Sequence, residues 1–123
     1  MQKSILFYLS RGAEIRSPHV KNQAGKRVNL ITRNQQYIYS YQVHFTEAAY
    51  NVRFGMLIKT MSGIELGGAV SHRPEDAIEV IMPKTIMQVD FTFHCALLPG
   101  IYFLNAGVVG LVEGQESYLH RCI

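Results

Sequence analysis

Apolar and polar positions alternate along most of this chain. The clearest run is Tyr37–Phe45 (YIYSYQVHF), where Tyr39, Tyr41, Val43 and Phe45 fall on one face of an extended chain and Ile38, Ser40, Gln42 and His44 on the other. Val52–Thr60 repeats the pattern, with Phe54, Met56 and Ile58 inward and Arg53, Gly55, Leu57 and Lys59 outward. Met87–Ala96 sets Val89, Phe91 and Phe93 against Gln88, Asp90, Thr92 and His94. The longest apolar stretch is Leu97–Val112 (LLPGIYFLNAGVVGLV). Pro99 and Gly100 make a corner, and Tyr102, Leu104, Ala106 and Val108 then oppose Phe103, Asn105, Gly107 and Val109. A strand with one apolar side and a second side carrying Asn and Gly is half core and half surface.

The remaining segments fit between these runs. Ala13–Asn22 alternates weakly and holds Pro18, which marks an edge strand. Gln23–Lys26 predicts a turn, Val28–Ile31 a short extended piece and Arg33–Gln36 a polar turn. Thr46–Asn51 predicts a loop with a helical turn through Glu47–Ala49. Ser62–Gly63 turns the chain into a strand over Ile64–Val70, and Arg73–Ala77 (RPEDA) predicts a short helix, with Pro at its start and acids in its first turn. Glu116–Ile123 closes the chain as a last strand. Short strands with turn signals at regular spacing predict an all-β fold, an antiparallel β-sandwich. Residues 1–12 are an edge segment or linker, and residues 13–123 the sandwich domain.

Composition agrees with a single globular domain. The 123 residues are 48% hydrophobic, with seven Tyr and six Phe, enough to bury a core without metal or disulfide staples. No run reaches the length of a membrane span, and the opening SILFYL lacks a small-residue cleavage site behind it. The net charge of +3 comes from scattered Lys and Arg; with no basic cluster, it argues against nucleic acid and biases the chain weakly towards anionic ligands. Cys95 and Cys122 have no CxxC or Cys/His spacing, so the plain reading is two reduced thiols in a cytoplasmic protein.

Catalytic and metal chemistry find little support. His19, His44, His72, His94 and His120 lack ligand spacing, although His44 and His94 would pair across one sheet if their strands were neighbours. There is no nucleophile elbow, and Cys95 and His94 alternate to opposite sides of a strand. Glu65, Asp76, Glu79 and Asp90 sit in different elements, and no P-loop is present. These residues predict no cofactor and no metal site; a glycosidase carboxylate pair stays open, but nothing in the sequence positively suggests one. What remains is the outward face carrying Arg53, Lys59 and Asn105 beside Gly55 and Gly107. Fixed donors next to a shallow floor suit a sugar ring, its hydroxyls and an acidic substituent. The plainer alternative is that the glycines mark bulges and the polar groups are simply solvated.

Three blocks, FGMLIKTMSGIELGG (Phe54–Gly68), LLPGIYFLNAGV (Leu97–Val108) and ESYLHRCI (Glu116–Ile123), resemble the C-terminal domain of Wzt, the ATP-binding component of the ABC transporters that export bacterial O-antigen polysaccharide. Their order and spacing match over about Ala13–Ile123. The resemblance implies a jelly-roll or Ig-like sandwich that acts as a non-catalytic carbohydrate-binding module. Such a module reads the capped non-reducing end of the finished glycan and couples chain termination to export. It also implies a homodimer formed through the C-terminal strand, and nucleotide-binding and membrane subunits as partners at the cytoplasmic face of the inner membrane.

On the strand faces, Arg53 and Lys59 are candidates for an acidic cap and Asn105 for hydroxyls. Tyr118 and His120 would form a flat wall on the neighbouring final strand if they face the same way, with Arg121 and His72 as weaker candidates at the rim. A second candidate surface uses Gln42, His44, Thr92 and His94 on the opposite sheet. The alternative to a sugar-binding role is a structural or oligomerisation module of a transporter subunit.

Overall fold

The structure is a computed structural model that describes residues 11–98, 100–112 and 115–122, the last stretch as backbone only. Eight strands follow in order: β1 (Ala13–Asn22), β2 (Gln36–Phe45), β3 (Ala49–Thr60), β4 (Glu65–Val70), β5 (Ile78–Ile81), β6 (Ile86–His94), β7 (Tyr102–Val112) and β8 (Gln115–Cys122). A 3-10 turn at Pro74–Asp76 is the short helix expected around Arg73–Ala77. Every pairing is antiparallel. One sheet has the order β1, β2, β6; the other runs β4, β3, β7, β8, with β5 pairing the first half of β3.

The two sheets pack through the inward positions that alternation predicts. Tyr39, Tyr41, Val43 and Phe45 of β2 bury against Val52, Phe54 and Met56 of β3 and Ala106 and Val108 of β7. Two tyrosines reach across the sandwich and set its alignment. The Tyr39 hydroxyl donates to the Leu104 carbonyl at 3.3 Å, and the Tyr41 hydroxyl lies between the Gly55 and Gly107 carbonyls at 2.8 and 3.1 Å. The start of β2 therefore lies at the same end of the molecule as the end of β3 and the start of β7. Burial pushes the Tyr41 hydroxyl well above the ordinary tyrosine range, so it remains a neutral donor.

Several expectations give way to local geometry. β3 begins at Ala49, not Val52, and no helical turn forms at Glu47–Ala49. A register shift between Tyr50 and Arg53, with Asn51 at φ 52°, points both Ala49 and Val52 inward and breaks the alternation that would have revealed the early start. β5 was not anticipated, because four residues give too little periodicity to separate a strand from a loop. Val28–Ile31 forms no strand. Asn22 Oδ1 accepts from the Ala24 and Lys26 amides, closing a turn that leaves only an Arg27–Lys21 bridge beside β1. Pro18 does mark an edge: β1 is the outer strand of its sheet, with a bulge between Arg16 and His19. Cys95 is a buried thiol just beyond β6. Gly100 lies in the bend before β7, whereas Pro99 and residues 1–10 fall outside the described residues.

Candidate functional site

The β3–β7 ladder settles which outward residues share a surface. Directly opposed pairs are Arg53 with Val109, Gly55 with Gly107, Leu57 with Asn105 and Lys59 with Phe103. Opposed residues of an antiparallel pair point to the same side, so Arg53, Lys59, Asn105 and both glycines face one way, as alternation predicts. They line a groove of about 540 Å³, within the span of roughly 300–1,000 Å³ usual for small-ligand sites. Arg53 and Lys59 are six residues apart on one strand, about 20 Å along the groove.

β4 supplies one wall, a contribution the sequence left invisible. Val70 stands opposite Gly55 and Gly68 opposite Leu57, and Glu65 meets Lys59 after a register shift. The two glycines on this side differ in what they do. A Cβ on Gly68 would lie 2.6 Å from the Met56 carbonyl oxygen, so glycine there lets β4 close onto β3. Gly55 needs no glycine for its backbone. Its ladder is regular, and a Cβ would make only ordinary contacts, 3.4 Å from the Ala69 oxygen and 4.0 Å from Val70 Cγ1. The absent side chain at Gly55 therefore leaves an open floor rather than a bulge. Beneath that floor, the Tyr41 hydroxyl holds the carbonyls of both floor glycines.

The electrostatics of the groove are uneven along its length. Arg53 and Lys59 are half-buried, and among the described residues neither has an ion-pair partner. Lys59 nevertheless has Glu65 across the ladder, whereas Arg53 faces Val109. The Arg53 end is thus the more cationic of the two. Asn105 lines the groove with its Oδ1 sealed from solvent and no hydrogen-bond partner among the described residues. An acceptor left in that state costs about 1–3 kcal/mol unless something donates to it.

The other candidates divide by strand. His72 is half-buried just past β4, hydrogen-bonded through Nδ1 to Ser71 Oγ at 2.7 Å. Ser71 in turn ties both backbone groups of Phe54, which places His72 beside the Arg53 end but outside the groove lining. In β8 the register sets Arg121 opposite Gly107, His120 opposite the buried Val108 and Tyr118 opposite Val109, with a shift between the last two pairs. The side chains of Tyr118, His120 and Arg121 lie outside the described residues.

The alternative surface on the three-stranded sheet is built differently. β2 and β6 are neighbours, yet His44 stands opposite Ile86 and His94 opposite Gln36, so the two histidines sit at opposite ends of the ladder and do not pair. Between them the polar groups bond to one another. Ser40 Oγ donates to Asp90 Oδ1 at 2.6 Å, Gln88 Nε2 donates to Ser40 Oγ at 2.6 Å, and Lys21 Nζ lies 3.7 Å from Asp90 Oδ2. Burial alone would raise the Asp90 carboxyl, but the bonds from Ser40 and Gln88 and the Lys21 ammonium hold it below its ordinary 3.8. Among the described residues no cluster of His, Cys, Asp or Glu could hold a metal ion, and no helix is long and apolar enough to cross a membrane.

Residues 8–123 match the family described as the Wzt C-terminal domain. The chain is also similar to a solved structure titled "Crystal structure of the C-terminal domain of wzt", at 25% identity and a TM-score of 0.82, covering 98% of this chain and 74% of that one. No curated protein matches. A family match over nearly the whole chain, together with the shared two-sheet architecture, means that the chain belongs to the Wzt C-terminal domain family.

Proposed function

We propose that this domain is a non-catalytic carbohydrate-binding module that holds the capped, non-reducing end of an O-antigen polysaccharide in the β3–β7 groove, and so couples chain termination to ABC-transporter export. One observation carries the reading: an open groove floored by Gly55 and Gly107 combines an arginine that has no described partner with an amide oxygen that lacks a donor. The Arg53 guanidinium offers two parallel donors to a carboxylate or phosphate on the terminal sugar. Leu57, Val70 and Val109 give apolar ground for the C–H face of the ring. Rotation about the soft χ2 of Asn105 brings its Oδ1 to a sugar hydroxyl. Lys59, with Glu65 opposite, meets the more neutral part of the chain. Tyr118 and Arg121, whose backbone positions oppose Val109 and Gly107, and His72 at the rim complete the candidate contacts; the His120 position opposes the buried Val108 and is not among them.

A shallow groove of this kind binds weakly on its own, and a homodimer raises the avidity by presenting two grooves to the glycan population. The nucleotide-binding and membrane subunits of the transporter, at the cytoplasmic face of the inner membrane, are the partners this reading assigns. The test is calorimetric titration of the domain with capped and uncapped oligosaccharide, repeated on Arg53→Ala and Asn105→Ala. Preference for the capped form, reduced in both variants, supports the reading. Equal affinity of the variants removes this groove from consideration. No retention of either oligosaccharide leaves the structural-module alternative in its place.

A further inference from the structure

One end of the sandwich differs from the other in a way the groove does not use. The cross-sheet bonds of Tyr39 and Tyr41 bring the β1–β2 connection (23–35), the β3–β4 turn (61–64) and the β6–β7 connection (95–101) to the same end. These three stretches expose Leu30, Met61, Ile64, Leu98 and Ile101, each between 61% and 87% accessible. The same stretches contain Lys26, Arg27 and Arg33, all exposed, and no acidic residue. The nearest acid along the chain, Glu65, stands opposite Lys59 in the ladder. At the far end, stretches 46–48 and 82–85 carry Glu47 and Lys84, one charge of each sign, and Met82 as their one exposed large apolar residue.

Apolar side chains on three separate stretches, with three cations on the 23–35 stretch and no acid on any of them, match the requirements of an anionic bilayer surface. Such a surface accepts shallow insertion of apolar tips and attracts each nearby Lys or Arg by about 1 kcal/mol. The loops themselves are anchored, so the end presents a preformed shape. The Thr32 amide donates to the Tyr37 hydroxyl at 2.7 Å, the Asn34 amide to the Cys95 carbonyl, and the Thr60–Ile64 turn is closed by backbone bonds. We infer that this end of the domain, through Leu30, Met61, Ile64, Leu98 and Ile101 with Lys26, Arg27 and Arg33, docks reversibly on an anionic lipid surface.

The inference stands apart from glycan binding, and its test needs no sugar. Co-sedimentation of the full chain with phosphatidylcholine vesicles, and with vesicles containing phosphatidylglycerol, measures it directly. Binding is expected only to the anionic vesicles and falls as salt rises. The triple change Lys26→Gln, Arg27→Gln, Arg33→Gln is expected to weaken it on the order of a hundredfold. The pair Leu98→Ser, Ile101→Ser is expected to weaken it at constant charge, and circular dichroism should confirm that both variants stay folded. Control changes at the far end, Lys84→Gln and Met82→Ser, should leave binding intact. No sedimentation with anionic vesicles overturns the inference. So does sedimentation that the triple change does not reduce, or capture of a transporter subunit by this end without vesicle binding.

Discussion

The two outer faces of this sandwich begin from the same sequence pattern and end in opposite states. Both are the polar sides of alternating antiparallel strands. On the three-stranded sheet, Ser40, Gln88, Asp90 and Lys21 bond to one another, and Ser40 is fully buried among them. On the five-stranded sheet, Arg53 has no described partner, Asn105 Oδ1 has no donor, and glycine leaves the floor bare. A polar group that already has its bonds gains little from a ligand, whereas one that lacks them gains the most. Polarity alone therefore does not distinguish the two faces; unmet bonding capacity beside empty space does, and the proposed binding face is the one that has it.

Breaking that difference should affect binding on one face and stability on the other. The largest effect is expected from Gly55→Val, which fills the floor. Glycan affinity should fall on the order of a hundredfold, about 2.8 kcal/mol, in calorimetric titration. Thermal melting should not fall, because a β-branched residue suits a strand better than glycine does. Arg53→Ala should follow, losing about 1.5–2.5 kcal/mol of affinity for an acidic cap, a loss that shrinks as salt rises. Ser40→Ala should do the reverse, lowering unfolding free energy by about 1–2 kcal/mol in urea titration while leaving glycan affinity unchanged.

Asn105→Leu sharpens the contrast further. Removing an unpartnered acceptor should raise stability by up to about 1 kcal/mol while reducing glycan affinity, so a melting temperature that rises as binding falls is the expected signature. The smallest effect is one of pH. The Asp90 carboxyl is lowered in the folded state, so its contribution to stability is fully present above the unfolded value near 3.8 and is lost as pH falls through the lower folded value. Asp90→Asn should flatten that acid limb, with no change in the dependence of glycan binding on pH.

Much of this was legible before any coordinates. Period-two alternation in Tyr37–Phe45, Val52–Thr60 and the stretch after Pro99 assigned the core faces, and the same parity set Arg53, Lys59 and Asn105 on one side. Three things were not legible, each for a physical reason. The bulge between Tyr50 and Arg53 breaks parity, so the true start of β3 read as loop. Strand adjacency is non-local, so the wall that β4 gives the groove, and the separation of His44 from His94, followed only from register. The role of Tyr41 was hidden because an inward tyrosine on a strand reads as core, while its hydroxyl reaches the two carbonyls beneath the groove.

The central claim is that the face with unmet bonds is the one that takes the glycan. Backbone amide shifts of the labelled domain, followed during titration with a capped oligosaccharide, test it most directly. The account predicts perturbations concentrated at Arg53, Gly55, Leu57, Asn105 and Gly107, with Gln42, His44, Thr92 and His94 unmoved. Perturbations centred on the latter four, with the groove silent, would contradict it.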